Sequence, residues 1–204
     1  MGQIFRRAEQ YLDQFDPEYI GQFIEIGTSR DGDDGSTATI ARYASRFDKH
    51  LWTVDIDINN CNHVIEQNIP NLEVLCQSGE EYLKNFPGHI AYISFLYLDN
   101  FDWNWHPERT EDFVLEQIER YNELGYTMNN VNSQRAHLRQ CELAVRHMAE
   151  QSLIVCDDTW YNKWWGHYSG KSGSAVPFLM NHGYKVLYTE EQPMYGTILG
   201  RGFN

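Results

Sequence analysis

Several features that would assign a sequence to a specialised class of protein are scarce in this one. The 204 residues include four cysteines, and 16 basic residues stand against 29 acidic ones. The cysteines, at positions 61, 76, 141 and 156, form no C-x-x-C pair. This scatter argues against a zinc knuckle or a disulfide framework, and it favours reduced cysteines in a cytoplasmic protein.

Long apolar runs and an excess of positive charge are also missing. The longest apolar run, residues 90–98, is well short of the roughly 20 residues that cross a bilayer, so we expect no membrane association. The net charge of −13 repels phosphate backbones, so nucleic acid is not an expected partner. A bound cation would suit so acidic a chain. No repeat, low-complexity tract or linker interrupts the chain, and residues 1–204 are predicted to form one domain. The oligomeric state stays open, a homodimer included.

Residues 23–41 hold the feature around which the rest of the chain is interpreted. An apolar strand runs into a loop rich in glycine and aspartate, and the loop runs into the opening of a helix. α/β domains build nucleotide sites in this way, because glycine lets the backbone approach the ligand and free helix N–H groups face it. Gly27, Gly32 and Gly35 are five and three residues apart, so the loop is not the dinucleotide motif G-x-G-x-x-G.

The periodicity of apolar residues predicts an alternation of strands and helices. A lead-in segment, 1–20, contains a helix over 4–15, and residues 103–150 form a helical insertion plus a crossover helix. The predicted helices are 37–47, 59–68, 80–86, 111–124, 134–149 and 174–181. The predicted strands are 23–26, 51–57, 72–76, 90–98, 153–158, 184–189 and 194–200, with loops at 129–133 and 159–173. The last two strands are so close in sequence that they must pair as a hairpin. The predicted fold is α/β and doubly wound, with a mostly parallel seven-stranded sheet and an antiparallel last strand.

Short motifs at the strand ends resemble those of class I S-adenosylmethionine-dependent methyltransferases. The pattern Glu25-x-Gly27 resembles the first motif of that class, and Asp55 ends the second strand, where an acid accepts bonds from ribose hydroxyls. The antiparallel last strand is also typical of it. The resemblance implies that S-adenosylmethionine is the cofactor and that these residues bind it: Glu25, Gly27, Thr28, Ser29, Gly35, Ser36, Asp55, Ile56, Ser78, Gly79 and Asp99. Residues 30–34 lengthen the first loop, which leaves open which glycine meets the methionine part.

Three acids, Asp99, Asp157 and Asp158, follow the fourth and fifth strands. These strands are neighbours in the expected order, and three carboxylates facing one crevice repel one another unless a cation joins them. Oxygen ligands favour magnesium, or manganese or calcium, over zinc. The pattern resembles the cation-dependent O-methyltransferases of the catechol O-methyltransferase type and metal-dependent sugar O-methyltransferases of natural-product pathways. It implies that the three acids are metal ligands.

The resemblance does not identify the general base. The catechol-type enzymes have a lysine three residues after the first metal acid, and this chain has Asp102 there. The candidates are therefore Asp102, His106, Lys163 and His167. Aromatic residues follow the acids closely and predict stacking on an aromatic ring or a sugar, with a core or partner-binding cluster as the alternative: Trp103, Trp105, Trp160, Tyr161, Trp164, Trp165 and Tyr168.

Together these features predict an S-adenosylmethionine-dependent O-methyltransferase that uses a divalent metal and acts on a small hydroxylated molecule, aromatic or sugar-like. Two alternatives remain. One is a metal-independent methyltransferase, in which Asp157 and Asp158 orient the acceptor group. The other is a non-catalytic ligand-binding or interaction module on the same fold.

Overall fold

The computed structural model describes residues 3–29, 35–88, 91–105, 112–191 and 196–203. Its helices are α1 (Gln3–Leu12), α2 (Ser36–Ser45), α3 (Ile58–Glu66), α4 (Gly79–Asn85), α5 (Asp112–Glu123), α6 (Asn130–Ala144) and α7 (Ala175–Asn181), with a 3-10 turn at Pro17–Tyr19. Its strands are β1 (Gln22–Ile26), β2 (Leu51–Asp55), β3 (Leu72–Cys76), β4 (Ile93–Leu98), β5 (Met148–Cys156), β6 (Thr159–Asn162), β7 (His167–Gly170), β8 (Lys185–Thr189) and β9 (Thr197–Arg201). Within these ranges, no helix is long and apolar enough to cross a membrane.

Seven strands form one sheet in the order β3-β2-β1-β4-β5-β9-β8. Strands β1 to β5 pair in parallel, and β9 is antiparallel to both of its neighbours, β5 and β8. The predicted doubly wound sheet with an antiparallel last strand is thereby confirmed. The chain winds outward in both directions from β1 and β4, so a crevice opens beyond the carboxyl ends of these two strands.

The sheet is covered on both faces, which explains the continuous apolar sequence of β4. All six residues of β4 are buried. Alternate side chains enter separate cores, because successive residues of a strand point to opposite faces. Leu96 and Leu98 pack in the core that includes residues of α4, α6 and α7, whereas Phe95 and Tyr97 pack in the core that includes residues of α1 and α2. Phe95 stacks on Phe23 with ring centroids 5.5 Å apart.

The helical insertion differs from the prediction at both ends of its second helix. Residues 129–133, predicted as a loop, contain the start of α6, because the side chain of Asn129 caps the helix by accepting a bond from the backbone N–H of Asn132 at 2.8 Å. The helix predicted to continue to residue 149 ends at Ala144. Met148 begins β5 and pairs with Ile93, so tertiary pairing overrides the helical spacing of the last apolar residues.

Two other segments also differ. The lead-in helix, predicted over 4–15 in the segment 1–20, ends at Leu12. The segment predicted as the loop 159–173 contains a two-stranded hairpin, in which β6 pairs antiparallel with β7. Tyr161 and Tyr168 face each other across it, with an edge-to-face contact of 5.2 Å between ring centroids. Aromatic cross-strand pairs of this kind stabilise hairpins. The Tyr161–Tyr168 pair therefore favours a hairpin in a glycine-rich segment that was predicted as a loop.

Candidate functional site

A cleft of about 480 Å³ lies at the carboxyl ends of β1, β2 and β4. Its volume lies within the range of small-molecule sites. The predicted cofactor residues that line it are Gly27, Thr28, Ser29, Asp55, Ile56, Gly79 and Asp99. Asn100, Phe101 and Asp102 also line it, together with residues of α5 between Glu116 and Tyr121 and with Leu124, which follows that helix.

Glu25 lies behind the cleft and organises the loop that follows β1. Its carboxylate is fully buried and accepts hydrogen bonds from the hydroxyls of Ser36 at 2.5 Å, Thr37 at 2.6 Å and Thr53 at 2.7 Å. Burial raises the pKa of Glu25 to about 7, although the three hydroxyl bonds lower it in part. The acid of the first motif therefore ties β1 to the start of α2 and to β2.

Gly27 lies where β1 turns toward the cleft. Its φ is +97°, and a Cβ there would lie 2.5 Å from the backbone nitrogen of Asn100 and 2.6 Å from the carbonyl carbon of Asp99. No side chain fits at that distance from another backbone. The structure thus requires glycine here for the close approach of the ends of β1 and β4, besides any room that a ligand needs.

Asp55, at the end of β2, is both a lining residue and an anchor for backbone. One of its oxygens accepts bonds from the backbone N–H of Thr28 and from the side-chain amide of Asn60, each at 3.1 Å. Its other oxygen accepts from the backbone N–H of Asp57 at 2.8 Å. Burial raises the pKa of Asp55, and these bonds oppose the shift.

Helix α5 is fastened across the cleft by Arg120. The guanidinium lies 2.5 Å from a carboxylate oxygen of Asp57 and donates to Asn60 at 2.8 Å. Burial would raise the pKa of Asp57, but the hydrogen bond and the charge of Arg120 hold it below its usual value. The next residue of α5, Tyr121, makes a second contact: its hydroxyl accepts a bond from the backbone N–H of Asp102 at 2.8 Å.

The three predicted metal ligands come together beside the cleft. Each of Asp99, Asp157 and Asp158 offers a carboxylate oxygen, and these oxygens lie within 4.8 Å of one another. The Tyr97 hydroxyl lies 3.3 Å from the second oxygen of Asp99. The cluster therefore has the oxygen donors that a hard cation prefers.

A cation from the chain itself already lies among these carboxylates. The ammonium nitrogen of Lys171 is 2.6 Å from an oxygen of Asp99 and 3.2 Å from an oxygen of Asp158, and its side chain is 4% exposed. Burial alone would lower the pKa of Lys171, but the charges of Asp99, Asp158 and Asp157 raise it well above its usual value. Burial, followed by the charge of Asp99, raises the pKa of Asp157 well above its usual range. With Lys171 in this place the cluster does not fit a divalent ion, which would lie against the ammonium.

One face of α6 carries a row of polar residues that holds the loops of the site. Asn130, Ser133, Gln134 and His137 follow the i, i+3, i+4, i+7 spacing of a helix face. They contact the backbone or side chains of Asn104, Phe101, Gly170 and Ser172, and His137 also contacts the carbonyl of Asn100. This row joins the segment after β4 to the segment that carries Lys171.

His137 is neutral in this arrangement. Its Nε2 lies 2.7 Å from the Asn100 carbonyl, which can only accept, so Nε2 carries the proton and Nδ1 accepts from the Ser172 hydroxyl at 2.8 Å. Burial, with the charge of Lys171, lowers the pKa of His137 to about 4.

The candidate general bases are placed differently from one another. Asp102 lines the cleft. Lys163 lies on the hairpin of β6 and β7, where it pairs with Glu191 at 2.8 Å and both side chains are exposed. His167 is exposed on the same hairpin. Neither is among the described residues that line the cleft, and His106 lies outside the described residues.

The remaining predicted cofactor residues stand around the cleft without lining it. Gly35 and Ser36 begin α2, and the hydroxyl of Ser36 is bound to Glu25. Ser78 caps α4 by accepting a bond from the backbone N–H of Glu81 at 3.1 Å. These residues position the cleft through the helices that they start.

The aromatic residues separate into a packed group and an exposed pair. Trp160 stacks on Trp105, with ring centroids 5.3 Å apart, and meets the edge of Trp103 at 6.3 Å. Its ring also lies close to Gly170, directly before Lys171. Trp164 and Trp165, at the end of the hairpin, are 88% and 76% exposed.

Lys171, Arg120 and His137 are the residues of the site that sequence reasoning missed. The spacing of the polar residues from 130 to 137 was a usable signal, but the loop predicted at 129–133 concealed it. Lys171 lies alone in a Gly-Lys-Ser-Gly stretch, and no local pattern connects it to acids far away in sequence.

Solved methyltransferase structures superpose on the chain at low sequence identity. A Streptococcus mutans protein proposed to be a methyltransferase, solved in complex with SAH, has a TM-score of 0.55 at 10% identity, over 98% of this chain and 99% of that chain. The O-methyltransferase NovP has a TM-score of 0.57 at 9% identity, over 97% of this chain and 77% of that chain. An rRNA methylase from Streptococcus thermophilus has a TM-score of 0.51 at 10% identity, over 98% of each chain.

At these identities the similarity concerns the fold. The chain has the Rossmann-like fold of class I methyltransferases, with neighbours that include an O-methyltransferase and an rRNA methylase. No protein-family model matches the sequence, and no curated protein matches it.

Proposed function

We propose that the chain binds S-adenosylmethionine in the cleft and methylates a hydroxyl oxygen of a small molecule. The observation that carries this proposal is the cleft itself, which lies at the switch point of a methyltransferase-type sheet and has Asp55 at the end of β2. In folds of this kind a strand-end acid in that place accepts bonds from ribose hydroxyls.

Polar groups in the cleft suit the rest of such a ligand. The side-chain oxygen of Asn100 is buried, and no described residue donates a hydrogen bond to it. An unpaired buried acceptor is costly, and the amino group of a methionine part would satisfy it. We expect Ile56 and Gly79 to contact the adenine. Asp55 would hold the ribose.

The charge of the lining supports a cationic ligand and argues against nucleic acid. Its described acids are Asp55, Asp57, Asp99, Asp102 and Glu116, and its described base is Arg120. A sulfonium is attracted to such a surface, and a phosphate backbone is repelled. The proposed acceptor is therefore a small hydroxylated molecule, although an rRNA methylase shares the fold.

When bound, S-adenosylmethionine supplies an activated methyl group. The chain's own residues would align the acceptor and receive its proton. Trp103, Trp105 and Trp160 pack together in one aromatic cluster, and we propose that this cluster orients a ring or a sugar face of the acceptor. Asp102, which lines the cleft, is the proposed acceptor of the hydroxyl proton. Alignment of this kind is worth up to about 7–11 kcal/mol.

Calorimetry with S-adenosylhomocysteine tests the proposal. We expect the wild type to bind it and Asp55→Asn to bind it about 10-fold or more weakly, because the substitution removes a charge-assisted acceptor worth about 1.5–3 kcal/mol. Asparagine is preferred to alanine, because its oxygen can still accept from the backbone of Asp57 or Thr28 and so preserves the loop.

The matched control is Glu66→Gln, which neutralises an exposed acid of α3 outside the cleft and should leave the dissociation constant unchanged. If the folded wild type binds no S-adenosylhomocysteine, the methyltransferase proposal is wrong. Equal affinity in Asp55→Asn and the wild type would remove Asp55 from the site.

A further inference from the structure

We infer that the ammonium group of Lys171 takes the place of a divalent cation in the carboxylate cluster, so that this site functions without bound metal. The cluster consists of Asp99, Asp157 and Asp158, in which a divalent ion is expected from the sequence. The inference rests on the proposed function only where it concerns methyl transfer, because cation binding by the cluster can be measured separately.

The contacts of Lys171 are those of an internal counter-ion. Its ammonium nitrogen lies 2.6 Å from Asp99 and 3.2 Å from Asp158, on oxygens contributed by two neighbouring strands. The side chain is 4% exposed, so the charge is removed from water and is stabilised by these two acids. A metal ion in the cluster would need oxygens of the same carboxylates.

The backbone around Lys171 holds the side chain in this place. The N–H of Lys171 donates to the carbonyl of Asp158 at 3.1 Å, and the N–H of Ser172 donates to the hydroxyl of Thr159 at 3.0 Å. At Gly170, where φ is +89°, a Cβ would lie 1.8 Å from the same carbonyl of Asp158. Only glycine lets this segment approach the end of β5 so closely, and the approach brings the lysine to the acids.

Helix α6 fixes the segment from the other side. Gln134 donates to the carbonyl of Gly170 at 3.1 Å, and His137 accepts from the hydroxyl of Ser172 at 2.8 Å. These two bonds fix the backbone of the segment that carries Lys171. A metal ion in the cluster would require the Lys171 side chain to leave the two acids that stabilise its charge.

Charge makes the two cations mutually exclusive. Divalent magnesium, manganese and calcium bind carboxylate oxygens at roughly 2.0–2.6 Å, which would put the ion within a few ångströms of the ammonium. Two positive charges at that distance in a buried site repel strongly. The lysine is thus a positioning residue: it holds Asp99 and Asp158 in fixed orientations at the border of the cleft.

Manganese titrations of the wild type and three variants test the inference. In Lys171→Met the acids lose their counter-ion and should become a metal site, so saturating Mn²⁺ should raise its melting temperature by about 5 °C or more. The wild type, Lys171→Arg and the control Lys163→Met should show no shift. Lys163 pairs with Glu191 on the exposed hairpin, so its replacement leaves the cluster intact.

Electron paramagnetic resonance of free Mn²⁺ measures binding directly and needs no unfolding. A wild type that binds one Mn²⁺, or whose melting temperature rises with it, overturns the inference. If Lys171→Met folds but gains no Mn²⁺ site, the ammonium is not what fills the cation position, and the inference is also wrong. If Lys171→Met does not fold, the resonance titration of the wild type decides alone.

The same proteins separate this inference from the proposed function. S-adenosylhomocysteine binding by the wild type supports the proposed function, and the absence of Mn²⁺ binding by the same protein supports the role of Lys171. Absence of that binding, with the expected Mn²⁺ results, sinks the methyltransferase proposal and leaves the role of Lys171 standing.

Discussion

The two ends of the site are built in different ways. At the nucleoside end, Glu25 and Asp55 bind partners within the unit β1-α2-β2: 11 residues separate Glu25 from Ser36, and 27 separate Asp55 from Thr28. At the lysine end, 72 residues separate Lys171 from Asp99, and 35 separate His137 from Ser172. The contacts of Glu25 and Asp55 thus lie within one strand-helix-strand unit, whereas those of Lys171 join segments from different parts of the chain.

The chemistry of the two ends differs as well. Burial raises the pKa of Glu25 to about 7, and the bonds from its three hydroxyl partners offset only part of that shift. At the other end a buried ammonium compensates the acids, and the nearby His137 stays neutral, with a pKa of about 4. The stability contributed by a buried acid with a raised pKa falls as the pH rises. The stability contributed by a buried histidine with a lowered pKa increases as the pH rises.

Substitution of Gly27 by alanine should have the largest effect. The added Cβ would meet the backbone of Asn100 and Asp99 at a positive φ, so we expect a loss of about 3 kcal/mol or more in the free energy of unfolding. Urea denaturation measures it. Gly125→Ala is the control, because Gly125 also has a positive φ but nothing within 4 Å, and it should lose only about 1–2 kcal/mol. Equal losses in the two variants would show that backbone strain at a positive φ, and not the close approach of β1 to β4, is the reason for glycine at position 27.

Glu25→Gln should change how stability depends on pH. The folded pKa of about 7 exceeds the ordinary 4.5, so the contribution of Glu25 is fully present below pH 4.5 and is lost as the pH rises through 7. The free energy of unfolding of the wild type, relative to Glu25→Gln, should therefore fall by about 3 kcal/mol between pH 4.5 and 7. Urea denaturation at several pH values gives this difference. The exposed Glu66, replaced by glutamine, is the control.

His137→Gln should show the opposite slope at the lysine end. Its folded pKa of about 4 is below the ordinary 6.5, so its contribution is present above pH 6.5 and is lost as the pH falls. Relative to the variant, the wild type should lose about 2 kcal/mol between pH 6.5 and 5. The exposed His182, replaced by glutamine, is the control. A slope of the same sign as that of Glu25 would mean that His137 is charged in the folded protein, and the proposed tautomer would be wrong.

The sequence was sufficient for the order of the helices and of the seven strands of the main sheet, and for the part of the site that Glu25 and Asp55 form. Apolar periodicity located the strands, because each strand buries its own side chains, and the strand-end residues Gly27 and Asp55 follow from strand positions alone. Asp99, Asp157 and Asp158 could be brought together for the same reason, since parallel neighbours present their carboxyl ends at one edge. The predicted boundaries of α6 were wrong, because a cap outweighed local spacing. The hairpin of β6 and β7 was predicted as a loop, because cross-strand aromatic pairs outweighed local spacing.

Only the tertiary structure decided what lies among those acids. Lys171 reaches Asp99 and Asp158 because Gly170 allows a close approach to β5 and because α6 holds the segment with Gln134 and His137. Arg120 closes the other side by a contact with Asp57 across 63 residues. Such contacts leave no periodicity in the sequence: a charged side chain finds its counter-charge through the packing of whole elements, and that packing is decided by the fold rather than by neighbours along the chain.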